Sequence, residues 1–251
     1  MTPVPVRPPG LGHRLLFGAL IAILAAMLLS WSMVAPLASL LLARRRATRM
    51  GRAMISRIYR VFWAAAQRLG MMRVESSALD ALRDLPGGLI IAANHPTMLD
   101  AVVIVARLPR GVCVMKAELL RNVFLGAGAR LARYIRNDTG RALVRDAVAS
   151  LKEGAQLVLL PEGTRTVREP VNPFKPGITL IAHLADVPIQ TVIIETESPY
   201  LRKGWPLLRP PPVPVLIRLR LGERFAPDAD HRALLRRLEN YFARELDPLA
   251  E

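Results

Sequence analysis

Residues 88–100 read GLIIAANHPTMLD, and this stretch decides the fold of the chain. The apolar residues Leu89 to Ala93 follow a Pro-Gly-Gly turn, and they predict a buried strand. The polar residues that come next predict a turn, and the apolar run from Leu99 to Ala106 predicts a helix. A buried strand that ends in a turn and continues into a helix is where α/β proteins carry reactive groups.

A histidine and an aspartate belong to this turn, since His95 follows the strand and Asp100 comes five residues later. An imidazole acts as a general base when a carboxylate holds its second nitrogen and stabilises the imidazolium that forms. The spacing alone leaves another interpretation open, in which a helix-capping Asn or Asp lies beside a core histidine. The pair is therefore a candidate base with its orienting carboxylate.

A second motif, Pro161-Glu162-Gly163-Thr164-Arg165, directly follows the apolar run 157–160. In this order and spacing, the His95–Asp100 pair and this motif resemble the glycerolipid acyltransferase family, which includes the 1-acylglycerol-3-phosphate acyltransferases. The resemblance covers residues 89–192. It implies that His95 deprotonates an acceptor hydroxyl, which attacks an acyl thioester directly, and that Asp100 orients His95.

The resemblance also implies substrate contacts around that pair. The segment Glu162 to Arg165 helps to bind the acceptor in the family, and Lys116 and Lys175 match basic positions of its acceptor site. A solvated cap is the alternative interpretation of Lys116. The expected substrate-binding residues are Asn94, Lys116, Arg136, Glu162, Gly163, Thr164, Arg165 and Lys175.

One segment departs from the family pattern. The family carries an arginine that contacts the acceptor phosphate where this chain has Asn137, and Arg136 stands one position early. Phosphate prefers charged, bidentate donors, so a neutral amide weakens the case for lysophosphatidate as the acceptor. The change suggests a side branch of the family that acts on a specialised lipid.

The chemistry that the resemblance implies needs neither a metal ion nor a covalent acyl-enzyme. We expect acyl-CoA or acyl carrier protein as the acyl donor, and each would be a substrate rather than a cofactor. Amides near Gly163 and Thr164, or in the His95 turn, are the expected donors to the oxyanion. The sequence has no Gly-x-Ser-x-Gly elbow and no Walker lysine loop, which would indicate other chemistries.

The composition indicates an anionic partner. The 251 residues carry 35 Lys+Arg against 20 Asp+Glu, a formal charge of +15, and 52% of them are hydrophobic. This excess is typical of proteins that meet anionic lipid, phosphate-bearing substrates or nucleic acid. Aromatic residues make up only 5% and are not interleaved with basic ones, so no nucleic acid is expected. The single cysteine, Cys113, predicts a buried strand residue in a protein of a reducing compartment.

An uncharged apolar segment extends from Leu15 to Ala43. It is longer than the roughly 20 residues that cross a bilayer, and it predicts a membrane helix that Pro36 kinks or divides. The arginines that follow argue against a cleaved signal peptide and favour an uncleaved anchor. They also place the bulk of the chain in the cytoplasm. We therefore expect a protein of the bacterial inner membrane whose catalytic domain faces the cytoplasm.

A basic helix is predicted from Thr48 to Leu69, because apolar residues recur there at helical spacing and arginines occupy the other faces. One interpretation is an element that lies on the membrane surface and meets anionic headgroups. The other is an ordinary domain helix with a solvated arginine face. The sequence leaves both open. Arg52 is one of the arginines on the other faces, and the second interpretation places it on a solvated face.

The remaining chain alternates strand and helix signals, which favours an α/β fold with a mixed, largely parallel sheet flanked by helices. The expected strands are 112–115, 156–160, 189–195 and an edge strand at 215–221, and the expected helices are 141–152, 177–185 and 230–246. We divide the chain into an N-terminal membrane anchor (1–46), a basic amphipathic helix (47–73) and a catalytic domain (74–251).

Two functions compete at this point. The first is a membrane-bound acyltransferase that moves a fatty acyl group to a hydroxyl of a lysophospholipid, such as 1-acylglycerol-3-phosphate, or of a specialised lipid without phosphate. The second is a non-catalytic, membrane-tethered protein that binds anionic lipid or nucleic acid. The second explains the charge and the anchor but leaves both motifs to coincidence. The acyltransferase and the non-catalytic protein can be distinguished by whether His95 and Arg165 belong to one site in the structure.

Overall fold

The computed structural model describes residues 8–137 and 140–247. The helices within these residues are α1 Leu11–Leu41, α2 Arg44–Arg68, α3 Asp100–Arg107, α4 Gly126–Leu131, α5 Gly140–Lys152, α6 Gly177–Ala185 and α7 His231–Glu245. The strands are β1 Met72–Glu75, β2 Leu89–Ala93, β3 Gly111–Met115, β4 Ile135–Arg136, β5 Gln156–Leu159, β6 Ile189–Glu195 and β7 Val215–Phe225. Two 3₁₀ helices, Ser77–Leu82 and Ala117–Arg121, join them.

The strands form one mixed sheet in the order β1-β7-β6-β2-β5-β3-β4. β2 lies at its centre, parallel to β5 and β6, and each of its residues is buried. β3 and β4 extend the parallel part beyond β5. Since β7 runs antiparallel to β6 and parallel to β1, the sheet is mixed and largely parallel, as the sequence predicts.

Helices cover both faces of the sheet. One hydrophobic cluster joins α1, α2 and α3 to one face, and the other joins α5, α6 and α7 to the opposite face. Successive residues of β2 alternate between the two clusters, as the period of a strand requires. The central strand is thus packed between helices on both of its faces, and its carboxyl end is fixed by these contacts.

α1 packs against the body of the protein along its length. Its buried side chains extend from Phe17 and Leu20 through Leu28 to Ala38, and the partly buried Leu24 lies between them. Its other side leaves large apolar side chains exposed, among them Leu15, Ile23, Met33, Leu37, Leu40 and Leu41. The helix is long and apolar enough to cross a membrane, although 22% of its most apolar window is buried in the protein. It continues through Pro36 instead of dividing there.

α2 contributes ten buried residues to the body, with aromatic side chains Phe62 and Trp63 among them. The placement of Arg52 on a solvated face is wrong, because this residue is only 6% exposed. Its Nε atom donates a hydrogen bond to the Ala132 carbonyl at 3.0 Å, across the contact between α2 and the end of α4. Burial lowers the pKa of the Arg52 guanidinium.

Two other expectations about the sheet need correction or addition. The 215–221 segment is not an edge strand, because β1 pairs with β7 from Met72–Val215 to Glu75–Arg218 and covers its outer side. Neither β1 nor β4 is expected from the sequence, since each has four residues or fewer and carries little periodicity. Cys113 is buried in β3 as expected, and burial raises the pKa of its thiol to about 12.

Candidate active site

The parallel strands bring the sequence motifs to one edge of the sheet. The His95 turn leaves the carboxyl end of β2, and the Glu162 loop leaves the end of β5 beside it. Lys116 follows β3 and Arg136 ends β4, so they come next along the same edge. This edge of an α/β sheet is the usual place for a ligand site.

His95 and Asp100 form the pair that the spacing predicts. The Nδ1 atom of His95 lies 2.8 Å from Oδ2 of Asp100, which is the first residue of α3. The Asp100 carboxyl is fully buried, whereas the His95 side chain keeps 17% of its surface exposed. A buried carboxylate can therefore fix the ring through Nδ1 while the ring stays accessible.

Thr97 also holds Asp100, and the sequence analysis misses it. Its backbone amide donates to Oδ2 of Asp100 at 2.9 Å, and its hydroxyl donates to Oδ1 at 2.6 Å. Burial raises the pKa of the Asp100 carboxyl, and the hydrogen bonds from His95 and Thr97 oppose that rise. The short turn with a threonine three residues before an aspartate was the available signal.

Glu162 joins three segments from inside the protein. It is 2% exposed, and its Oε1 atom accepts hydrogen bonds from the His95 amide and the Thr166 hydroxyl, each at 2.8 Å. Its Oε2 atom accepts from the Asn172 amide at 2.9 Å. Protein donors thus engage both oxygens, and Glu162 connects the His95 turn to its own loop. The substrate contact expected for Glu162 stays a prediction.

Asn94 is likewise engaged within the protein. Its side-chain amide donates to the Ile194 carbonyl, and its side-chain oxygen accepts from the Ile194 amide, both at 2.8 Å. These two bonds imitate one step of a strand pairing and continue the β2–β6 ladder into the turn. Asn94 thus fixes the backbone before His95. The substrate contact expected for Asn94 stays a prediction.

Arg165 connects the site to the loop after β6. Its Nη1 atom donates to the carbonyls of Leu201 and Arg202, at 2.9 and 3.0 Å. The Leu201 carbonyl also accepts from the Met98 amide in the His95 turn, at 3.1 Å. Leu201 has a left-handed φ of 58°. His95 and Arg165 therefore belong to one connected site.

The other basic candidates differ in their distance from His95. Lys175 lies beside the Glu162 loop, since a Cβ atom on Gly163, which has a positive φ of 69°, would lie 3.4 Å from its side chain. Lys116 is exposed at the end of β3, two strands from β2, or roughly 10 Å by the spacing of strands. Arg136 is exposed at the end of β4, one strand farther out. Arg136 thus lies at the periphery of the candidate site.

The amides expected to stabilise an oxyanion are partly engaged. The amide of His95 binds Glu162, and that of Gly163 donates to the Leu160 carbonyl at 3.0 Å. Neither is available to a substrate. In the part of the chain that the structure describes, the Thr164 amide has no backbone acceptor. Thr164 is exposed and directly precedes Arg165.

The fold and this site define an α/β protein with a histidine–aspartate pair after the central strand and a Glu-Gly-Thr-Arg loop after its neighbour. Residues 73–195, from β1 to the end of β6, match the family model described as Acyltransferase. This match and the curated relatives described next support the glycerolipid acyltransferase family.

Curated relatives come from plants and animals. A 1-acyl-sn-glycerol-3-phosphate acyltransferase of Limnanthes alba is 33% identical over 135 residues, which cover 50% of this chain and 47% of that protein. A 1-acyl-sn-glycerol-3-phosphate acyltransferase alpha of Homo sapiens is 32% identical over 123 residues, 45% of this chain and 43% of that protein. The chain thus matches less than half of the length of either relative.

A solved structure shares the whole architecture. The 1-acyl-sn-glycerophosphate acyltransferase PlsC from Thermotoga maritima superposes with a TM-score of 0.71 at 23% sequence identity. The superposition covers 95% of this chain and 97% of that one, so it includes the N-terminal helices as well as the sheet. At this identity the likeness concerns the fold.

Proposed function

We propose that this protein is an O-acyltransferase that moves a fatty acyl group from a thioester to the hydroxyl of a lysophospholipid such as 1-acylglycerol-3-phosphate. The observation that carries the proposal is the 2.8 Å contact between His95 Nδ1 and the buried Asp100 carboxyl, next to the Glu162–Arg165 loop. The match to the Acyltransferase family model and the names of the curated relatives support the same activity.

In the proposed mechanism the accessible Nε2 atom of His95 removes the proton of the acceptor hydroxyl. The hydroxyl oxygen attacks the thioester carbonyl, and the tetrahedral intermediate collapses with release of the thiolate, which takes up the proton. Asp100 holds the ring and stabilises the imidazolium. The amide of Thr164 is the proposed donor to the oxyanion, because the amides of His95 and Gly163 are already engaged.

Acyl-CoA or acyl carrier protein is the proposed donor, since each carries its acyl group as a thioester. The proposed acceptor phosphate lies near Lys175 and the part of the Arg165 guanidinium that does not bind the Leu201 and Arg202 carbonyls. A guanidinium held in this way is preorganised for a phosphate. Asn137 follows β4, which lies farther from His95 than Lys116 at the end of β3. A neutral residue in place of the family's arginine therefore affects only the periphery of the proposed site.

The proposed location is the cytoplasmic face of the bacterial inner membrane. We infer that α1 lies in the plane of the membrane, because its buried stripe, from Phe17 to Ala38, contacts the body along its length. A helix that crossed the bilayer in this arrangement would draw the body into the hydrocarbon. Its exposed leucines would enter one leaflet, and the exposed arginines of α2 would meet headgroups.

The deciding experiment is an acyl-transfer assay of the purified full-length protein with lysophosphatidate and labelled acyl-CoA or acyl carrier protein. Replacing His95 with Ala is expected to lower kcat by about 10²- to 10⁴-fold, the usual contribution of a general base. His183→Ala, an exposed histidine on α6, is the matched control and should retain full activity. An H95A variant with more than a tenth of wild-type activity would refute the proposed base.

A further inference from the structure

A cavity of about 540 Å³ lies at the elbow between α1 and α2, where the end of α4 closes it. We call it the elbow pocket. Its walls come from the last turns of α1, the first turn of α2, and α4 together with Arg133, which follows it. None of the residues just placed in the candidate active site lines it.

Three arginines line the elbow pocket, and the described residues around it supply little negative charge. Arg44, Arg130 and Arg133 contribute from three different segments, and no acidic residue belongs to the lining. Arg133 forms an ion pair with Glu153 at 3.5 Å, and Arg130 donates to the Leu120 carbonyl. Such a concentration of guanidinium groups favours an anion with several acceptor oxygens, as phosphate has.

The beginning of α2 strengthens this preference. The helix has 25 residues, no acidic residue in its first turn, and no side-chain cap at its N-terminus. Instead it begins with three arginines, whose charge opposes the positive end of the helix dipole. An anion bound beside Arg44 would compensate both the dipole and the like charges.

The rest of the pocket is apolar, which limits what the anion is attached to. Pro36, Leu42, Ala127 and Leu131 line it together with the arginines. The exposed residues Leu37, Leu40 and Leu41 share the last turns of α1 with this wall. An amphiphile fits both parts: its phosphate meets the arginines, while its apolar part continues toward the membrane-facing surface of α1.

We propose that the elbow pocket binds the phosphate of an anionic phospholipid of the surrounding membrane, at a site separate from the catalytic one. The site fixes the α1–α2 elbow on α4 when the protein docks. This inference rests on the membrane association proposed above and does not depend on acyl transfer.

The test titrates the full-length protein, in an uncharged detergent, with dihexanoyl phosphatidylglycerol, dihexanoyl phosphatidylcholine and inorganic phosphate. Phosphatidylglycerol is expected to bind most tightly. Arg44→Gln combined with Arg133→Gln should weaken its binding at least about tenfold, because charge-assisted hydrogen bonds are lost. Ser39→Trp, which fills the pocket without removing a charge, should have a similar effect.

The matched control is Arg45→Gln combined with Arg49→Gln, which removes the same charge from exposed positions of α2 outside the pocket. It should change the affinity by no more than about twofold, because salt screens exposed charges. Equal losses in the two double variants, or phosphate binding as tight as that of phosphatidylglycerol, would overturn the assignment. In H95A the lipid should still bind, so failure of the acyltransferase proposal remains distinguishable.

Discussion

At the scale of single residues, the organisation around Asp100 is the central feature. Its carboxyl is fully buried. Its two oxygens accept hydrogen bonds from His95 and from the backbone amide and the hydroxyl of Thr97. Burial alone would favour the protonated carboxyl, which cannot hold the ring of His95 in the orientation of a base. The hydrogen bonds from Thr97 oppose the rise in the Asp100 pKa that burial causes, so we expect Thr97 to act as a positioning residue.

Replacing Thr97 with Val should shift the acid limb of kcat/KM to higher pH. In the wild type the 2.6 Å hydrogen bond from the Thr97 hydroxyl lowers the pKa of Asp100. Without that bond the pKa rises further, because burial is then less opposed. We expect a shift of about one pH unit, the equivalent of one charge-assisted bond. The measurement is the pH profile of acyl transfer. Thr97→Ser should restore the wild-type profile, and an unshifted limb in T97V would contradict the role.

Arg165 offers a test of acceptor recognition. If its guanidinium binds the acceptor phosphate, Arg165→Ala should lower kcat/KM for lysophosphatidate by roughly 10- to 150-fold and leave an uncharged monoacylglycerol little affected. Arg165→Lys should recover only part of that loss, because a point charge does not replace a planar guanidinium. The carbonyls of Leu201 and Arg202 also depend on this side chain. Comparable losses for both acceptors would show that Arg165 only supports the loop.

At the scale of elements, the contact between α1 and α4 depends on the absence of a side chain. A Cβ atom on Gly128 would lie 2.7 Å from two ring atoms of Trp31, and Ser32 next to it donates to the Phe124 carbonyl at 2.8 Å. The two helices approach closely there, and this close contact seats α1 on the body.

Gly128→Ala should therefore destabilise the protein by about 1–3 kcal/mol through overpacking, which lowers the Tm by several degrees. Gly18→Ala is the control, because a Cβ atom on this exposed glycine of α1 meets nothing within 4 Å. Better helix propensity should make that variant neutral or slightly more stable. Thermal unfolding in detergent measures both, and equal Tm values would mean that α1 does not pack on α4 in this way.

At the scale of the whole molecule, the exposed apolar side of α1 and the net charge of +15 both fit the anionic membrane surface that we propose as the partner. α1 and α2 lie on one face of the sheet, whereas α5, α6 and α7 cover the other. The loop after β6 reaches α1 as well, since Tyr200 packs edge-to-face on Phe17 with 6.0 Å between ring centroids. Contacts of Leu201 then connect this loop to the His95 turn.

Leu40→Asp should weaken binding to phosphatidylglycerol-containing vesicles at least about 30-fold, since burial of a leucine side chain contributes about 2 kcal/mol. Leu40 is 81% exposed, so the fold should tolerate the change. Leu184→Asp introduces the same charge on α6, on the opposite face, and should bind vesicles like the wild type. Vesicle flotation measures both variants. Equal binding by all three proteins would exclude α1 as the docking surface.

The sequence by itself determined the features that depend on near neighbours. The strand–turn–helix of residues 88–107, the helices α5 and α6, and the pairing of His95 with Asp100 all follow from periodicity and short spacing. The fold class follows as well, because alternating strands and helices pack in few ways. The His95–Asp100 pair and the Glu162–Arg165 motif were enough to indicate the acyltransferase family.

The tertiary structure alone decided which distant segments meet. The order of the strands places the Glu162 loop beside the His95 turn and Arg136 at the periphery, and no local pattern encodes that order. The same holds for the cover of β7 by β1, the burial of Arg52 and the packing of α1 on α4. These contacts join residues far apart in the chain, and they stabilise the protein only after the chain has folded. Local sequence patterns therefore do not reveal them.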